Sequence, residues 1–187
     1  RSLLADQGQK TMVSLMHSNN EVGTMIDLSE IGALCQEHGA YFHSDTVQTM
    51  GYYPIDVAAT AISFLSGAAH KFYGPKGVGF IYINGDNIIQ PFLDGGAQER
   101  NMRAGTENTY GIVGMAKALD MAYQERAERE QEIRSLRTYL CEQLAKDFPE
   151  AAFNGDHEGG HYKVLNLRFA PSPKTEFSIV TPLFIMH

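Results

Sequence analysis

Short apolar runs alternate with helical patterns through the first half of the chain. The run TMVSLMH at 11–17 precedes the polar stretch SNNEVG and predicts a buried strand that ends in a turn. Three further runs, AYFHS, AISFLS at 61–66 and FIYI, also predict strands. Asp27 with Glu30 three residues later predicts a helix start, and Gly39 predicts its end. This order predicts βαβ units, so the fold class is α/β with a mostly parallel sheet flanked by helices.

The second half of the chain changes character. The stretch GGAQERNMRAG, from Gly95 to Gly105, has no periodicity and predicts a loop, with Thr106 where a helix N-cap belongs. Apolar residues then recur at helical spacing, and a charged amphipathic stretch runs as far as Pro149, which fits one long bent helix or two helices. KVLNLRF at 163–169 alternates and predicts a strand that opens a small second domain.

Composition excludes several classes of protein. The 187 residues are 43% hydrophobic and 20% charged, which is ordinary globular usage and excludes a disordered tail or a disulfide-dense mini-protein. The net charge of −7 argues against a broad basic face for nucleic acid. No apolar run is long enough for a membrane span, and no leader is recognisable. The two cysteines form no CxxC pair, so we expect a reducing cytoplasm.

Polar residues follow three of the predicted strands. Asn20 follows the first, Asp45 and Gln48 follow the second, and His70 and Lys71 follow the third. In an open α/β sheet these strand ends meet at one edge, where ligands of this fold class bind. We therefore expect these side chains to converge.

This set of side chains matches what pyridoxal phosphate requires. A fixed, partly desolvated lysine such as Lys71 forms a Schiff base, and a carboxylate such as Asp45 keeps the ring nitrogen protonated. The amides of Asn20 and Gln48 suit the phenolic oxygen, and a hydroxyl at a helix start, as at Thr106, suits a phosphate.

Each residue alone also has a plain structural explanation. Asp45 at a strand end is commonly a turn residue, His70 alone is more often structural, and Lys71 alone is an ordinary surface lysine. The pair before Glu21 is an ordinary turn signal. We interpret HEGGH at 157–161 as a loop rather than a metal site.

Four motifs in order carry a family resemblance. HSNNEVGTMIDLSEIGALC, FHSDTVQTMGYYPIDV, AAHKFYGPKGVGFIYI and GGAQERNMRAGTENTYGIVGMAKAL resemble the cysteine desulfurases of the class V aminotransferase family. The resemblance is dense over 11–125 and looser over 126–170. It implies the large domain of the fold-type I pyridoxal-phosphate transferases, of which this chain carries part.

The resemblance implies a role for each matching position. Lys71 matches the lysine that forms the Schiff base with pyridoxal 5'-phosphate, and Asp45 matches the carboxylate paired with the pyridine nitrogen. Asn20 and Gln48 match the amides near the phenolic oxygen. His70 matches a residue on the phosphate side.

The resemblance also implies partners. The family forms homodimers, and Thr106 matches a threonine that reaches the phosphate of the neighbouring subunit. The implied reaction converts L-cysteine to L-alanine and leaves a persulfide sulfur on the enzyme. A sulfur-acceptor or scaffold protein then receives that sulfur for iron–sulfur cluster assembly or thiolation, and neither a nucleic acid nor a membrane takes part.

Some positions depart from the family pattern. Ala68 stands where several relatives have a serine that donates to the phosphate, so one donor is missing. Cys35 and Cys141 lie in helical patterns and read as buried hydrophobes rather than as the sulfur-accepting cysteine. That cysteine, the arginine for the substrate carboxylate, the ring stacked on the pyridine and the Gly/Thr phosphate loop all have no match in this sequence.

We divide the chain into three parts on this basis. Residues 1–125 belong to the cofactor-binding large domain, 126–170 form a helical connection and the start of the small C-terminal domain, and 171–187 are atypical, as in a truncated or frameshifted reading. Two alternatives remain open at this point. One is another class V member, such as an aminotransferase or a selenocysteine lyase, and the other is a non-catalytic fragment.

Overall fold

A computed structural model of the chain describes residues 2–5, 9–169 and 179–184. Its elements in chain order are β1 Met12–Met16, α1 Leu28–Glu37, β2 Tyr41–Asp45, β3 Phe64–Ala68, β4 Gly79–Ile83, α2 Gln98–Asn101, α3 Thr109–Gln124, α4 Arg126–Asp147, β5 Ala152–Asn154, β6 Val164–Phe169 and β7 Ile179–Phe184, with 3₁₀ turns at Ser2–Leu4 and Ala69–Phe72.

The first sheet confirms the predicted α/β class. Its strand order is β1-β2-β3-β4, with β1, β2 and β3 parallel and β4 antiparallel to β3. The antiparallel edge has a simple cause, because only the 3₁₀ turn and a short loop join β3 to β4. A parallel return would need a longer crossover, normally through a helix.

Strand register places three carboxyl ends side by side. Met16 on β1 pairs with Asp45 on β2, and Asp45 pairs with Ser66 on β3. The polar residues that follow each strand therefore leave the sheet at one edge.

The predicted helix start at Asp27 is confirmed. Asp27 Oδ1 accepts hydrogen bonds from the backbone N–H groups of Ser29 at 2.8 Å and Glu30 at 3.1 Å, which satisfies two donors that the helix leaves unpaired. The helix α1 ends before Gly39, whose φ of 64° suits a glycine.

The main core lies on one face of the first sheet. Phe42 and Leu65 project from β2 and β3 onto Cys35 of α1, and Phe72 of the 3₁₀ turn and Ala122 of α3 complete the cluster. The opposite face is open, with three large apolar side chains exposed on it: Met12, Tyr41 and Ile81.

The second sheet is a small antiparallel one with the order β5-β6-β7. Its central strand β6 confirms the strand predicted at KVLNLRF. A second cluster, of Tyr52, Ile133, Tyr162 and Leu165, packs this sheet against α4 and against the loop after β2. The stretch interpreted as atypical, 171–187, lies outside the described residues except for β7.

Two predicted boundaries are wrong. The ladder of β3 begins at Phe64 rather than at Ala61, because the buried Ile62 extends the apolar run without pairing as a strand. The cap of α3 is Asn108 rather than Thr106, since Asn108 Oδ1 accepts from the backbone N–H of Gly111 at 3.1 Å.

The loop from Gly95 to Gly105 contains the short helical turn α2, whose Glu99 and Arg100 have left-handed φ values of 48° and 57°. The pattern between the loop and Pro149 allowed one long bent helix or two helices. The structure has two, α3 and α4. No helix of the described segments is long and apolar enough to cross a bilayer.

Replacing Gly32 by alanine should destabilise the protein, although alanine is the better helix former. A Cβ at Gly32 would lie 2.7 Å from the backbone oxygen of Ala61, which cannot move aside as a side chain could. We expect Gly32→Ala to lower the free energy of unfolding by about 1–3 kcal/mol, measured by denaturant titration.

Ala33→Gly, an exposed change in the same helix, is the control for propensity and should cost about 1 kcal/mol. An increase in stability for Gly32→Ala would contradict the close packing of α1 on Ala61.

Candidate functional site

Asp45 is the last residue of β2 and stands at the centre of the strand-end edge. It is half-buried, and its Oδ1 accepts a hydrogen bond from the Val47 backbone N–H at 2.9 Å. Among the described hydrogen bonds none uses the second carboxylate oxygen. Asp45 therefore offers one anionic oxygen at the edge, held in place by the bond to the other.

The turn after Asp45 is fixed by hydrogen bonds of its own. Thr46 donates to Ser66 O from both its backbone N–H, at 3.0 Å, and its hydroxyl, at 2.8 Å. His17 Nδ1 lies 2.8 Å from the Thr49 hydroxyl, which ties the turn to the end of β1. Gln48 sits on this turn with its side chain half-buried.

The turn after β1 carries Asn20. Asn19 Oδ1 accepts from the backbone N–H groups of Glu21 at 2.8 Å and Val22 at 3.0 Å, which closes a compact Asx turn. Asn20 Nδ2 donates to Glu21 Oε1 at 2.9 Å and is partly exposed. The turn itself is thus set by Asn19, and the amide of Asn20 lies at the edge.

Lys71 lies in the 3₁₀ turn that directly follows β3. The turn is closed by Tyr73, whose left-handed φ of 65° reverses the chain and whose N–H donates to Ala69 O. Lys71 is half-buried and His70 is exposed. The residue before the turn, Ala68, supplies no side-chain cap, as expected of an alanine.

Five of the six residues singled out from the sequence thus lie at or just after the ends of neighbouring, aligned strands. Thr106 is the exception, because it is exposed on the segment that leads into α3. The hydrogen bonds described for that segment are internal, such as Gly105 N–H to Gln98 Oε1 at 3.1 Å and Ala104 N–H to Leu93 O at 3.2 Å.

The two cysteines lie away from the edge, Cys35 buried and Cys141 half-buried. Cys35 lies in the main core, and Cys141 packs beside the second cluster from α4. Burial raises the pKa of both thiols, so neither is an activated thiolate. No cluster of metal-ligating side chains occurs in the described part of the chain.

The segment before β6 and β6 itself brace the site, which the sequence interpretation missed. His161 Nε2 donates to Gln48 O at 2.8 Å, and its backbone N–H donates to Gly23 O at 2.7 Å. Asn166 Nδ2 donates to Glu21 O at 3.1 Å. Two of the turns that carry site residues are therefore held by residues more than a hundred positions later in the chain.

His161 is neutral in this setting. Burial lowers its pKa to about 4, and its Nδ1 accepts the Lys163 backbone N–H at 3.2 Å while Nε2 donates to Gln48. The structure confirms the loop predicted for HEGGH, since residues 157–160 form turns outside any helix or strand. The prediction did not anticipate that the last histidine is buried, because nothing local in the sequence marks a contact with Gln48.

Lys163 adds a fourth contact to this brace. Its Nζ donates to the Tyr52 hydroxyl at 2.7 Å, and that hydroxyl donates to the backbone oxygen of Lys71 at 3.1 Å. The residue just before β6 thereby reaches the turn of the candidate catalytic lysine.

Comparison with known proteins identifies the family. A sequence model of the aminotransferase class-V family matches residues 3–176. The chain belongs to the class V aminotransferase family.

Two similar proteins of that family are both named as cysteine desulfurases. The chain is 41% identical over 159 residues to "Cysteine desulfurase IscS" of Dictyoglomus turgidum, covering 85% of this chain and 40% of that protein. It is 45% identical over 158 residues to "Putative cysteine desulfurase IscS 1" of Bacillus subtilis, covering 84% and 42%. The chain thus spans about 40% of the length of these relatives.

Solved structures show the same fold. A NifS-like protein from Rickettsia africae superposes with a TM-score of 0.86 at 30% identity, covering 91% of this chain and 48% of that one. A second NifS-like protein gives 0.83 at 34% identity, covering 90% and 47%. The partial sheet described above therefore belongs to the fold of the class V aminotransferases.

The buried histidines of this class V chain should make its stability depend on pH. Burial lowers the pKa of both His17 and His161 from 6.5 to about 4, so between these values the unfolded chain binds protons that the folded chain does not. The contribution of these two histidines to the free energy of unfolding should be fully present above pH 6.5. It should fall toward pH 4, by about 1.4 kcal/mol per pH unit for each histidine.

His161→Gln should remove one histidine's share of that slope, measured by denaturant unfolding at several pH values. The exposed His157→Gln is the control and should keep the parent slope. An unchanged slope for His161→Gln would contradict the burial of a neutral imidazole.

Proposed function

We propose that this chain forms the cofactor-lysine part of a pyridoxal-phosphate-dependent cysteine desulfurase. One observation carries the proposal: Lys71, Asp45, Gln48 and Asn20 lie on turns that leave aligned strand ends. The cysteine desulfurase names of the relatives support the choice of activity within the family.

The residues present fit pyridoxal phosphate. Asp45 presents a carboxylate oxygen that has no hydrogen bond among the described residues, as an acceptor for a protonated ring nitrogen requires. Asn20 and Gln48 bring amides to the same edge, and Lys71 brings the one amine on these turns. The absence of a hydroxyl at Ala68 removes one neutral donor, which would cost roughly 1 kcal/mol of affinity.

Each residue then has a chemical task. Pyridoxal phosphate, when bound, supplies an electron sink for bonds broken at the substrate. Asp45 would hold the proton on the ring nitrogen, which would keep that sink strong. Lys71 Nζ would hold the group covalently at its aldehyde carbon, with the carbonyl oxygen leaving as water, and Asn20 and Gln48 would donate toward the phenolic oxygen. His70 would be placed on the phosphate side.

The sulfur-accepting thiol has to come from outside this segment. Desolvation raises the pKa of the buried Cys35 thiol and of the half-buried Cys141 thiol, so neither suits a nucleophile that takes sulfur from L-cysteine. We propose L-cysteine as the substrate, L-alanine as the product and a sulfur-acceptor or scaffold protein as the partner.

We also retain two further parts of the hypothesis. Residues 1–125 would form part of the large domain and 126–170 the connection to the small one, as the two separate clusters support. The two free cysteines support a reducing compartment, for which we propose the cytoplasm.

Lys71→Ala should abolish covalent capture of the cofactor. We expect borohydride reduction of the whole protein with pyridoxal phosphate to leave a pyridoxyl adduct on Lys71, found by peptide mass spectrometry, and alanine release from L-cysteine to fall at least about 100-fold in the variant. Lys76→Ala, an exposed lysine on the following loop, is the matched control and should behave as the parent. Equal alanine release from both variants would overturn the assignment.

We expect Thr106 to contribute to the cofactor site of the partner subunit. It is exposed, and the hydrogen bonds described for its segment are internal to that segment. Hybrid dimers of Lys71→Ala and Thr106→Ala subunits should regain up to half of the parent activity per hybrid, because one of their two sites is then intact. Each variant alone should be impaired, and a hybrid no more active than the Thr106→Ala dimer would exclude the shared site.

A further inference from the structure

The Arg137 side chain of α4 donates hydrogen bonds to a group of backbone carbonyl oxygens. Its Nη1 donates to Val164 O at 2.6 Å and, over longer distances, to Tyr162 O at 3.4 Å and His161 O at 3.5 Å. Its Nη2 donates to His157 O. One guanidinium therefore binds four carbonyl groups of a single short stretch of chain.

That stretch, the segment 157–164, has a shape that needs outside support. It consists mainly of turns and ends at the first residue of β6, so most of its carbonyl groups lie outside a regular helix or ladder. A guanidinium carries five N–H donors in a rigid planar fork, and hydrogen bonds from a charged donor are stronger than neutral ones. Arg137 is thus well suited to fix the path of this segment.

The helix that carries Arg137 is itself firmly packed. Ile133, one turn earlier on the same face of α4, is 1% exposed and lies in the second cluster beside Tyr162. Arg137 is half-buried on this side of the helix, so the surrounding atoms limit where its guanidinium can move. The place of the segment 157–164 is therefore set relative to a packed helix.

Two side-chain contacts lead from the segment to the turns of the candidate site, and we call them the two arms. In the first, His161 Nε2 donates to Gln48 O at 2.8 Å. In the second, Lys163 Nζ donates to the Tyr52 hydroxyl at 2.7 Å, and that hydroxyl donates to Lys71 O at 3.1 Å. Both arms start from residues that lie among the carbonyl groups held by the guanidinium.

We propose that Arg137 is a positioning residue of the candidate cofactor site. It holds the segment 157–164 in the arrangement from which the two arms reach the turns of Gln48 and Lys71. The guanidinium acts through the arms, so its loss should loosen both turns together. The consequence for pyridoxal phosphate rests on the function proposed above, whereas the effect on the turns does not.

Hydrogen exchange of the whole protein, freed of cofactor, tests the effect on the turns. Arg137→Met removes the guanidinium and keeps an unbranched side chain. Lys146→Met is the matched control, because it removes an exposed positive charge from the same helix. The backbone amides of residues 46–53 and 69–74 report on the two turns, and those of α1 report on the rest of the fold.

We expect Arg137→Met to speed exchange in both turns about tenfold, while α1 and the Lys146→Met protein keep the parent rates. A residue that served only the overall stability would speed exchange in α1 as much as in the turns. An equal change throughout the protein, or parent rates at both turns, overturns the proposal.

Arg137→Lys provides a second route if Arg137→Met does not fold. Lysine keeps the charge and one donor group but lacks the second branch of the fork. We expect exchange in the same two turns to rise by only about threefold, as a partial rescue requires. Parent rates in Arg137→Lys, when it is the only variant that folds, overturn the proposal.

Titration of the same proteins with pyridoxal phosphate, followed by visible absorption, tests the consequence for the site. We expect the half-saturating concentration to rise at least about threefold in Arg137→Met and to stay at the parent value in Lys146→Met, because turns that are not held in place bind more weakly. Unchanged binding in Arg137→Met overturns the role at the site. A parent protein that gains no absorption band defeats the proposed function and leaves the exchange result standing.

Discussion

Parallel pairing of β1, β2 and β3 is the constraint on which the site depends. The register that sets Met16, Asp45 and Ser66 side by side brings three turns out at one edge. A shift of one residue would turn Asp45 toward the core and Phe42 away from it. The packing of Phe42 and Leu65 against α1 opposes such a shift, so the apolar face of the sheet fixes the polar edge.

The turns at that edge gain much of their order from the second sheet. Gly23, Gln48 and Lys71 each contribute a backbone oxygen, and the residues from His161 to Lys163 approach all three, the last through Tyr52. Backbone oxygens accept whatever the side chain at that position is. These long-range contacts therefore hold the chain without using the side chains of the candidate site.

Local patterns were sufficient for most of the elements and for the position of most candidate residues relative to the strands. Short apolar runs located the strands, Asp27 located a helix, and polar residues after strands located Asp45 and Lys71. They failed where two local signals competed, as when Asn108 rather than Thr106 caps α3. They could not reveal the role of His161, because its contact with Gln48 joins residues separated by 113 positions and depends on how two sheets pack.

That separation has a consequence for synthesis on the ribosome. The parallel strands β1 to β3, the Asx turn and the 3₁₀ turn after β3 all lie before residue 74, and a nascent chain builds them early. His161, Lys163 and Asn166 emerge much later, and long-range contacts of this kind form slowly. The 3₁₀ turn that carries Lys71 would thus form before the contacts that brace it. The final arrangement of the turns at this edge would arise only after β6 has left the exit tunnel.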